Sequence, residues 1–506
     1  MNKTILITPQ QLEAGATIPQ ALDNQYVSDE LYEEIVTQKK SLLDPIIKQK
    51  RDKEAKSEFI RSLVYSSQVI VNRAFLSNSE LLYQHYLPDN ESNALSFASL
   101  LNQGIIVPYL YKEHNVFDKK EFDITDTGGK ASEYLSQFLG EVKSVRLAKD
   151  DKLNQAETQK LSFSFRNYFM GRHTLDPTQQ IAMIEELVGG KKEVTPELQK
   201  EFQKHLKILS RFSEDFYEEN GFVNRNDLYK EFIVPQNKST ADGMFLESNT
   251  QNPFRHEIKK LIDLKYNTNL PDALGRYSFT PSGLPTRSAL QDDFQIGDID
   301  SQKVDNFIDT ELENLTKESI KFMESSQKTM YLPVLSELSL SDVLEIRKLE
   351  SWKKFIDKQS YILTNPLNIG DKYEEFQKAF EKFQSHLSTW FYTKYPHTMI
   401  KNKYSSRATI VLSLGGEVIT YDRNGTSLAY ENSEQLPELA KGISIKMMMN
   451  VYDANTFKLN KERSYSIEIM RTELEVKQDE IFGIIKNTQG RKVPVEDSLV
   501  AEQDRN

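Results

Sequence analysis

Cysteine is absent from the 506 residues of this chain. Its absence excludes disulfides, thiolate-bound metal ions, iron–sulfur clusters and cysteine nucleophiles, because each of these needs a cysteine sulfur. The redox compartment does not follow from this, since a chain without cysteine suits a reducing cytosol and a bacterial surface equally well.

Long hydrophobic runs are absent too. No window approaches the roughly 18 apolar residues that a membrane span needs. The first residues, MNKTILITPQQLEAG, contain only a short apolar run, which is too short for the core of a signal peptide. We therefore expect a soluble, cytoplasmic protein with no membrane partner.

Positive charge is in deficit. Lys and Arg total 64 against 75 Asp and Glu, which gives a formal net charge of −11. Such a chain has no global attraction for phosphate backbones or anionic lipid. Nucleic-acid binding would need a local basic face. The one basic cluster, KQKRDKEAK from Lys48 to Lys56, has acidic residues interleaved, which favours a solvated helix face.

Recognisable catalytic motifs are missing. DTGGKAS ends like a phosphate-binding loop, but Ile124 stands where the earlier glycine is required. The seven histidines are scattered and form no HExxH, which argues against a histidine zinc site. No GxSxG elbow is present to anchor a hydrolase triad. We expect no cofactor, with Mg²⁺ as the exception considered below.

Helical periodicity dominates the first three quarters of the chain. It predicts one helix from Pro45 to Leu76, and a capping box formed by Ser77 and Glu80 ahead of the next. It also predicts a helix opened by Thr195 and one capped by Ser339 and Asp342. A further helix carries one apolar face, made of Tyr373, Phe376, Phe380, Phe383, Leu387 and Trp390.

The apolar period changes to two residues after Arg407. Asn424 and Gly425 between β-rich flanks predict a hairpin, and ISIKMMMNVYD and RSYSIEIMRTELEV predict further strands. The expected fold class is therefore α+β, with mostly helical N-terminal and middle regions and a small C-terminal antiparallel β-sheet.

Turn signals and changes of period divide the chain into six segments. We predict a helical domain, a helical hairpin region, a loop-rich central region, a second helical region, an antiparallel β domain and a flexible tail. These segments cover residues 1–125, 126–225, 226–335, 336–400, 401–488 and 489–506.

The stretch IDLKY places Asp263 and Lys265 on either side of one apolar residue. On a strand, and with Asp242 nearby, this pair would hold Mg²⁺ and a phosphate as metal-dependent nucleases do. However, Phe254, Ile258, Leu261 and Ile262 also fit one face of a helix. The helical interpretation is preferred, and it makes Asp263 and Lys265 ordinary surface charges.

The loop GRYSFTPSGLPTR contains a second candidate site. Arg276 and Arg287, with nearby hydroxyls and backbone donors, offer two guanidiniums that can clamp a phosphate or carboxylate. The alternative is that these arginines pair with Asp272, Asp292 or Asp293 and only hold the loop in place.

These patterns favour function through binding. We expect a bacterial cytosolic interaction or regulatory protein with a protein partner or self-association. The richness in Lys, Asn, Ile and Glu is typical of an AT-rich bacterial genome or its phages. Together with the absence of a housekeeping motif, it suggests an accessory component of antiviral defence or of a mobile element. Two alternatives remain open: a Mg²⁺-dependent nuclease-like effector using Asp242, Asp263 and Lys265, and a phage structural or assembly protein.

Overall fold

The computed structural model describes most of the two ends of the chain and parts of its middle. The described residues are 3–19, 44–110, 113–117, 126–146, 193–203, 270–281, 328–331, 335–370, 372–396, 401–414, 417–422, 425–430, 443–453, 465–471 and 492–494, with Leu22, Leu31, Glu34, Thr178, Ile181 and Ile184.

One mixed sheet of thirteen strands connects the described segments. Its order is β1-β5-β4-β3-β2-β6-β12-β11-β8-β9-β10-β13, and β7 pairs with β8 beside this path. The strands are β1 Thr4–Ile7, β2 Ala16–Pro19, β3 Gln68–Asn72, β4 Ile106–Leu110, β5 Val142–Arg146, β6 Tyr277–Pro281, β7 Lys328–Tyr331, β8 Lys401–Leu414, β9 Glu417–Asp422, β10 Gly425–Tyr430, β11 Ile443–Asp453, β12 Tyr465–Arg471 and β13 Lys492–Pro494.

Eight α-helices have assigned bounds in the described segments. They are α1 Pro45–Tyr65, α2 Arg73–Asn78, α3 Glu80–Tyr83, α4 Glu91–Asn102, α5 Asp126–Leu135, α6 Leu340–Ile346, α7 Glu350–Thr364 and α8 Lys372–Lys394. Short 3-10 helices cover Pro9–Gln11, Gln84–Tyr86 and Leu335–Glu337. Across the described residues, no helix has the length and apolarity to cross a membrane.

The expected fold class was wrong in its description of the sheet. Strands β1 to β6 are parallel to one another and form what we call the parallel half. Strands β7 to β12 pair with one another in antiparallel fashion and form the antiparallel half, to which β13 adds a parallel strand beside β10. Because β6 pairs with β2 on one side and β12 on the other, the C-terminal strands extend a sheet that begins at the N-terminus.

The predicted helix from Pro45 to Leu76 is broken by β3. α1 ends at Tyr65, and the apolar run of β3 is a strand in the middle of the parallel half. Val69 and Val71 face the larger core, which contains the helices, whereas Ile70 faces a smaller core with Leu12 and Leu274. Burial on both faces removes the alternation that normally identifies a strand.

Several local predictions are confirmed. Ser339 and Asp342 form the capping box that starts α6, although the helix predicted there is divided into α6 and α7. β9 and β10 form the predicted hairpin, with Asp422 opposite Gly425. The capping box of Ser77 was wrong, because Ser77 is buried and its Oγ lies 3.1 Å from Ser132 Oγ.

Two side chains from the α6–α7 region hold the C-terminal end of α1. Arg347 donates from Nη1 to the carbonyl of Ser66 (2.9 Å) and from Nη2 to that of Ser67. Trp352 donates from Nε1 to the carbonyl of Val64 (2.6 Å). A helix ends in carbonyls without intrahelical partners and with partial negative charge, so a buried cation is well placed here.

Helix α8 fills a gap beside β8. On the side away from β11, β8 pairs with β7 up to Tyr404 and with β9 from Ile410 onward. Between them, Gln377 donates to the carbonyl of Ser406 (3.0 Å) and accepts from the backbone nitrogen of Ala408 (2.7 Å). The side-chain amide therefore takes the place of a strand residue.

We expect Gln377→Leu to lower the free energy of unfolding by about 2 kcal/mol or more, because it leaves two buried backbone groups without partners. Urea unfolding followed by tryptophan fluorescence measures this directly, since both tryptophans of the chain, Trp352 and Trp390, lie on α7 and α8. Lys378→Gln is the control on the same helix, because Lys378 is 72% exposed. Equal stability of the two variants would contradict the bridging role.

Asp342 generates a prediction about pH. Burial alone raises its pKa, but hydrogen bonds from Lys394, Tyr395 and Ser339 together lower the pKa below the usual value. A carboxyl whose folded pKa is depressed contributes stability above its unfolded pKa and loses it as pH falls through the folded value. We expect Asp342→Asn to be less stable than wild type by about 2 kcal/mol at pH 7.

The difference between wild type and Asp342→Asn should shrink below pH 4, where the unfolded carboxyl is protonated. Unfolding free energies measured across this pH range give the comparison. Glu345→Gln serves as the control, since Glu345 also binds Lys394 (2.9 Å) but is 46% exposed. A stability difference that stays constant with pH would rule out this linkage.

Candidate functional site

Only one of the predicted site residues lies in the described part of the chain. Asp242, Asp263, Lys265 and Arg287 lie outside it, so the two-carboxylate hypothesis stays a prediction. Arg276 precedes β6 and donates from Nη2 to the carbonyls of Pro9 (2.8 Å) and Leu12 (2.7 Å). It thus holds the connection between β1 and β2 through backbone carbonyls.

The carboxyl ends of the parallel strands are the first place to look for a ligand site, because open α/β sheets bind ligands there. β3, β4 and β5 end level with one another. Asn72 is opposite Tyr109, and Leu110 is opposite Arg146. Polar side chains that follow these strands therefore meet at one edge, which we call the carboxyl edge.

Two buried arginines converge at the carboxyl edge. Arg73, which follows β3, is 2% exposed and donates from Nε to the carbonyl of Val116 (2.8 Å). Arg146, at the end of β5, is 9% exposed and donates from Nη1 to the carbonyl of Glu113 (3.2 Å). The two guanidiniums thus hold segment 113–117, which follows β4, from both sides.

His114 lies in the same segment and is exposed. Arg146 Nη1 lies 3.0 Å from His114 Nδ1. A guanidinium has no acceptor, so Arg146 is the donor and Nδ1 carries the lone pair. The ring proton is therefore on Nε2, and the imidazole offers an N–H group at the carboxyl edge.

Three charged groups of this cluster are buried. Arg73 and Arg146 contribute two guanidiniums, and the buried Glu113 contributes one carboxylate. Guanidiniums remain charged when buried and match the geometry of phosphates and carboxylates. In the described segments, no group of three or more potential ligand residues could hold a metal ion. The two guanidiniums match the geometry of an anionic ligand.

Sequence reasoning missed both arginines of the carboxyl edge. Arg73 was assigned to a continuous helix, although the β-branched run of β3 followed by Asn72 was a usable strand signal. Arg146 closes EVKSVR, a stretch too short to identify a strand without its partners β1 and β4.

Comparison with known proteins identifies no relative of this chain. The chain matches no family model, no curated protein and no solved structure. The assignment of a function therefore rests on the contacts, burial and charge of the residues described above.

Proposed function

We propose that the chain is a regulatory binding protein whose carboxyl edge takes a ligand with an anionic group, such as a phosphorylated small molecule. The observation that carries the proposal is the convergence of Arg73 and Arg146 on segment 113–117. Both guanidiniums come from the ends of parallel strands, which is where open α/β sheets bind ligands.

The chemistry of the arginines supports an anionic ligand. A guanidinium presents five donors in a planar fork, and that fork fits two oxygens of a phosphate or carboxylate. Burial strengthens the interaction with an anion, because few water molecules compete for the same donors. The exposed His114 adds an imidazole beside them.

The contacts also indicate how binding would act on the rest of the protein. Arg146 holds Glu113 and His114, and Arg73 holds Val116. An anion that attracts either guanidinium changes the contacts of segment 113–117. A protein partner, or a second copy of the chain, would then recognise the ligand-bound form of this segment. The net charge of −11 argues against a nucleic-acid partner.

The test is a binding panel of nucleotides, sugar phosphates and dinucleotide cofactors, measured with the full chain by calorimetry. We expect at least one phosphorylated compound to bind wild type, and Arg146→Gln to weaken it by about tenfold or more, which equals about 1.4 kcal/mol. Arg146→Lys should weaken it too, because lysine keeps the charge but loses the fork.

Lys143→Gln is the matched control, since Lys143 belongs to the same strand and is exposed. It removes the same charge and should leave the affinity unchanged. Equal weakening by Lys143→Gln and Arg146→Gln would reduce the effect to overall charge. The absence of any binding by wild type across the panel would overturn the proposed function.

A further inference from the structure

The two halves of the sheet meet beside a second pair of arginines. β6 pairs with β2 of the parallel half and with β12 of the antiparallel half. Arg276 precedes β6, and Arg471 ends β12. Arg276 Nη1 donates to the carbonyl of Gly275 (2.7 Å), and Arg471 Nη1 lies 3.4 Å from the same oxygen. The two cationic groups are therefore neighbours.

Neither arginine of this pair has a carboxylate partner among the described residues. The Nε atom of Arg276 and that of Arg471 are both buried and have no hydrogen-bond acceptor in this part of the chain. A buried donor left without an acceptor costs about 1–3 kcal/mol. Burial, followed by the charge of Arg471, lowers the pKa of Arg276, which reflects the repulsion between the two cations.

The neighbouring tyrosine does not neutralise the pair. Tyr277 donates its hydroxyl hydrogen to the carbonyl of Leu363 (2.6 Å). Burial raises the pKa of Tyr277 to about 12, even though both arginines act in the opposite direction. The phenol is therefore uncharged at neutral pH, and it leaves two positive charges side by side.

We propose that Arg276 and Arg471 form a second binding site, which takes a tetrahedral oxyanion of the phosphate class. A water molecule would satisfy the two Nε donors, but it would add no negative charge beside the two cations. An anion between the guanidiniums would accept hydrogen bonds from the two Nε donors and would also offset the two positive charges. Arg276 and Arg471 are only half-buried, so the pair is not sealed from solvent.

The arrangement of the donors favours a tetrahedral oxyanion over a carboxylate. A planar carboxylate is best held by two parallel donors of one guanidinium. In Arg276, Nη2 already donates to Pro9 and Leu12. The donors that remain, which include the Nε of Arg276 and the Nε of Arg471, therefore belong to two separate guanidiniums. Four oxygens arranged as a tetrahedron can accept from both.

An anion at this position would link three parts of the chain. Through Arg276 it connects to the β1–β2 connection, which contains Pro9 and Leu12, and to the start of β6. Through Arg471 it connects to the end of β12. Because a ligand that binds only the folded state stabilises it, the anion would strengthen the junction between the parallel and antiparallel halves.

The first experiment compares thermal unfolding of the full chain in potassium phosphate, potassium acetate and potassium chloride at matched ionic strength. Phosphate stabilises folded proteins generally by exclusion from their surface. The informative quantity is therefore the difference between wild type and Arg471→Gln at each phosphate concentration. We expect a saturable rise in Tm for wild type, a loss of the saturable part in Arg471→Gln, and no saturable rise in acetate.

Lys446→Gln is the matched control, since Lys446 lies on β11 beside β12 and pairs with Glu468 (3.4 Å). It removes one positive charge near the site and should keep the phosphate response. An unchanged response in Arg471→Gln, or the absence of a saturable response in wild type, would overturn the site.

Direct binding provides the second readout. Phosphate titrated into wild type and observed by phosphorus NMR should show saturable binding. Its affinity should fall about tenfold or more in Arg471→Gln, and less in Arg471→Lys, which keeps the charge. If neither variant folds, a phosphate titration of Arg146→Gln decides, because the absence of saturable binding there would overturn the site.

The two proposed sites are tested separately. Arg146→Gln should keep the phosphate response of the arginine pair, because Arg146 lies at the carboxyl end of β5 and Arg276 lies at the amino end of β6. Conversely, Arg471→Gln should keep binding at the carboxyl edge. Loss of one response without the other shows which of the two proposals fails.

Discussion

Arg347 carries the contact on which the arrangement of the two helical regions depends. Its guanidinium donates to carbonyls at the end of α1 and in the turn that leads to β3. Burial lowers the pKa of Arg347 to about 10, with Glu13 acting in the opposite direction, so the group is still charged at neutral pH. The ring of Trp352 lies 4.2 Å from its Cζ atom. α1 and α7 are thereby fixed against the same turn.

Buried or half-buried guanidiniums bonded to backbone carbonyls recur throughout the described structure. Arg73 and Arg146 fix segment 113–117, Arg276 fixes the β1–β2 connection, and Arg347 fixes the end of α1. A chain without cysteine has no disulfides to join segments that are distant in sequence. These arginines join such segments through hydrogen bonds. The same property makes them candidates for ligand binding, because a guanidinium that is held by carbonyls is already positioned and stays charged.

The sequence predicted the elements whose signals are local. The apolar face of α8, the capping box of α6 and the β9–β10 hairpin each depend on residues within one or two turns of one another. The parallel half could not be predicted in this way. Thr17 pairs with Tyr277, and no local pattern reports a partner that far along the chain. Of the site residues, only Arg276 was singled out, since Arg73, Arg146 and Arg471 acquire their significance from the strands that bring them together.

The contacts of the Gln377 amide with β8 can form while the chain is still being synthesised. α8 precedes β8, whereas β9 and β11 follow it. When β8 leaves the ribosome, its backbone between Tyr404 and Ile410 can bond to side chains of α8 before β9 and β11 exist. An unpaired strand edge readily pairs with another chain. α8 therefore covers part of the exposed edge of β8 before the later strands are synthesised.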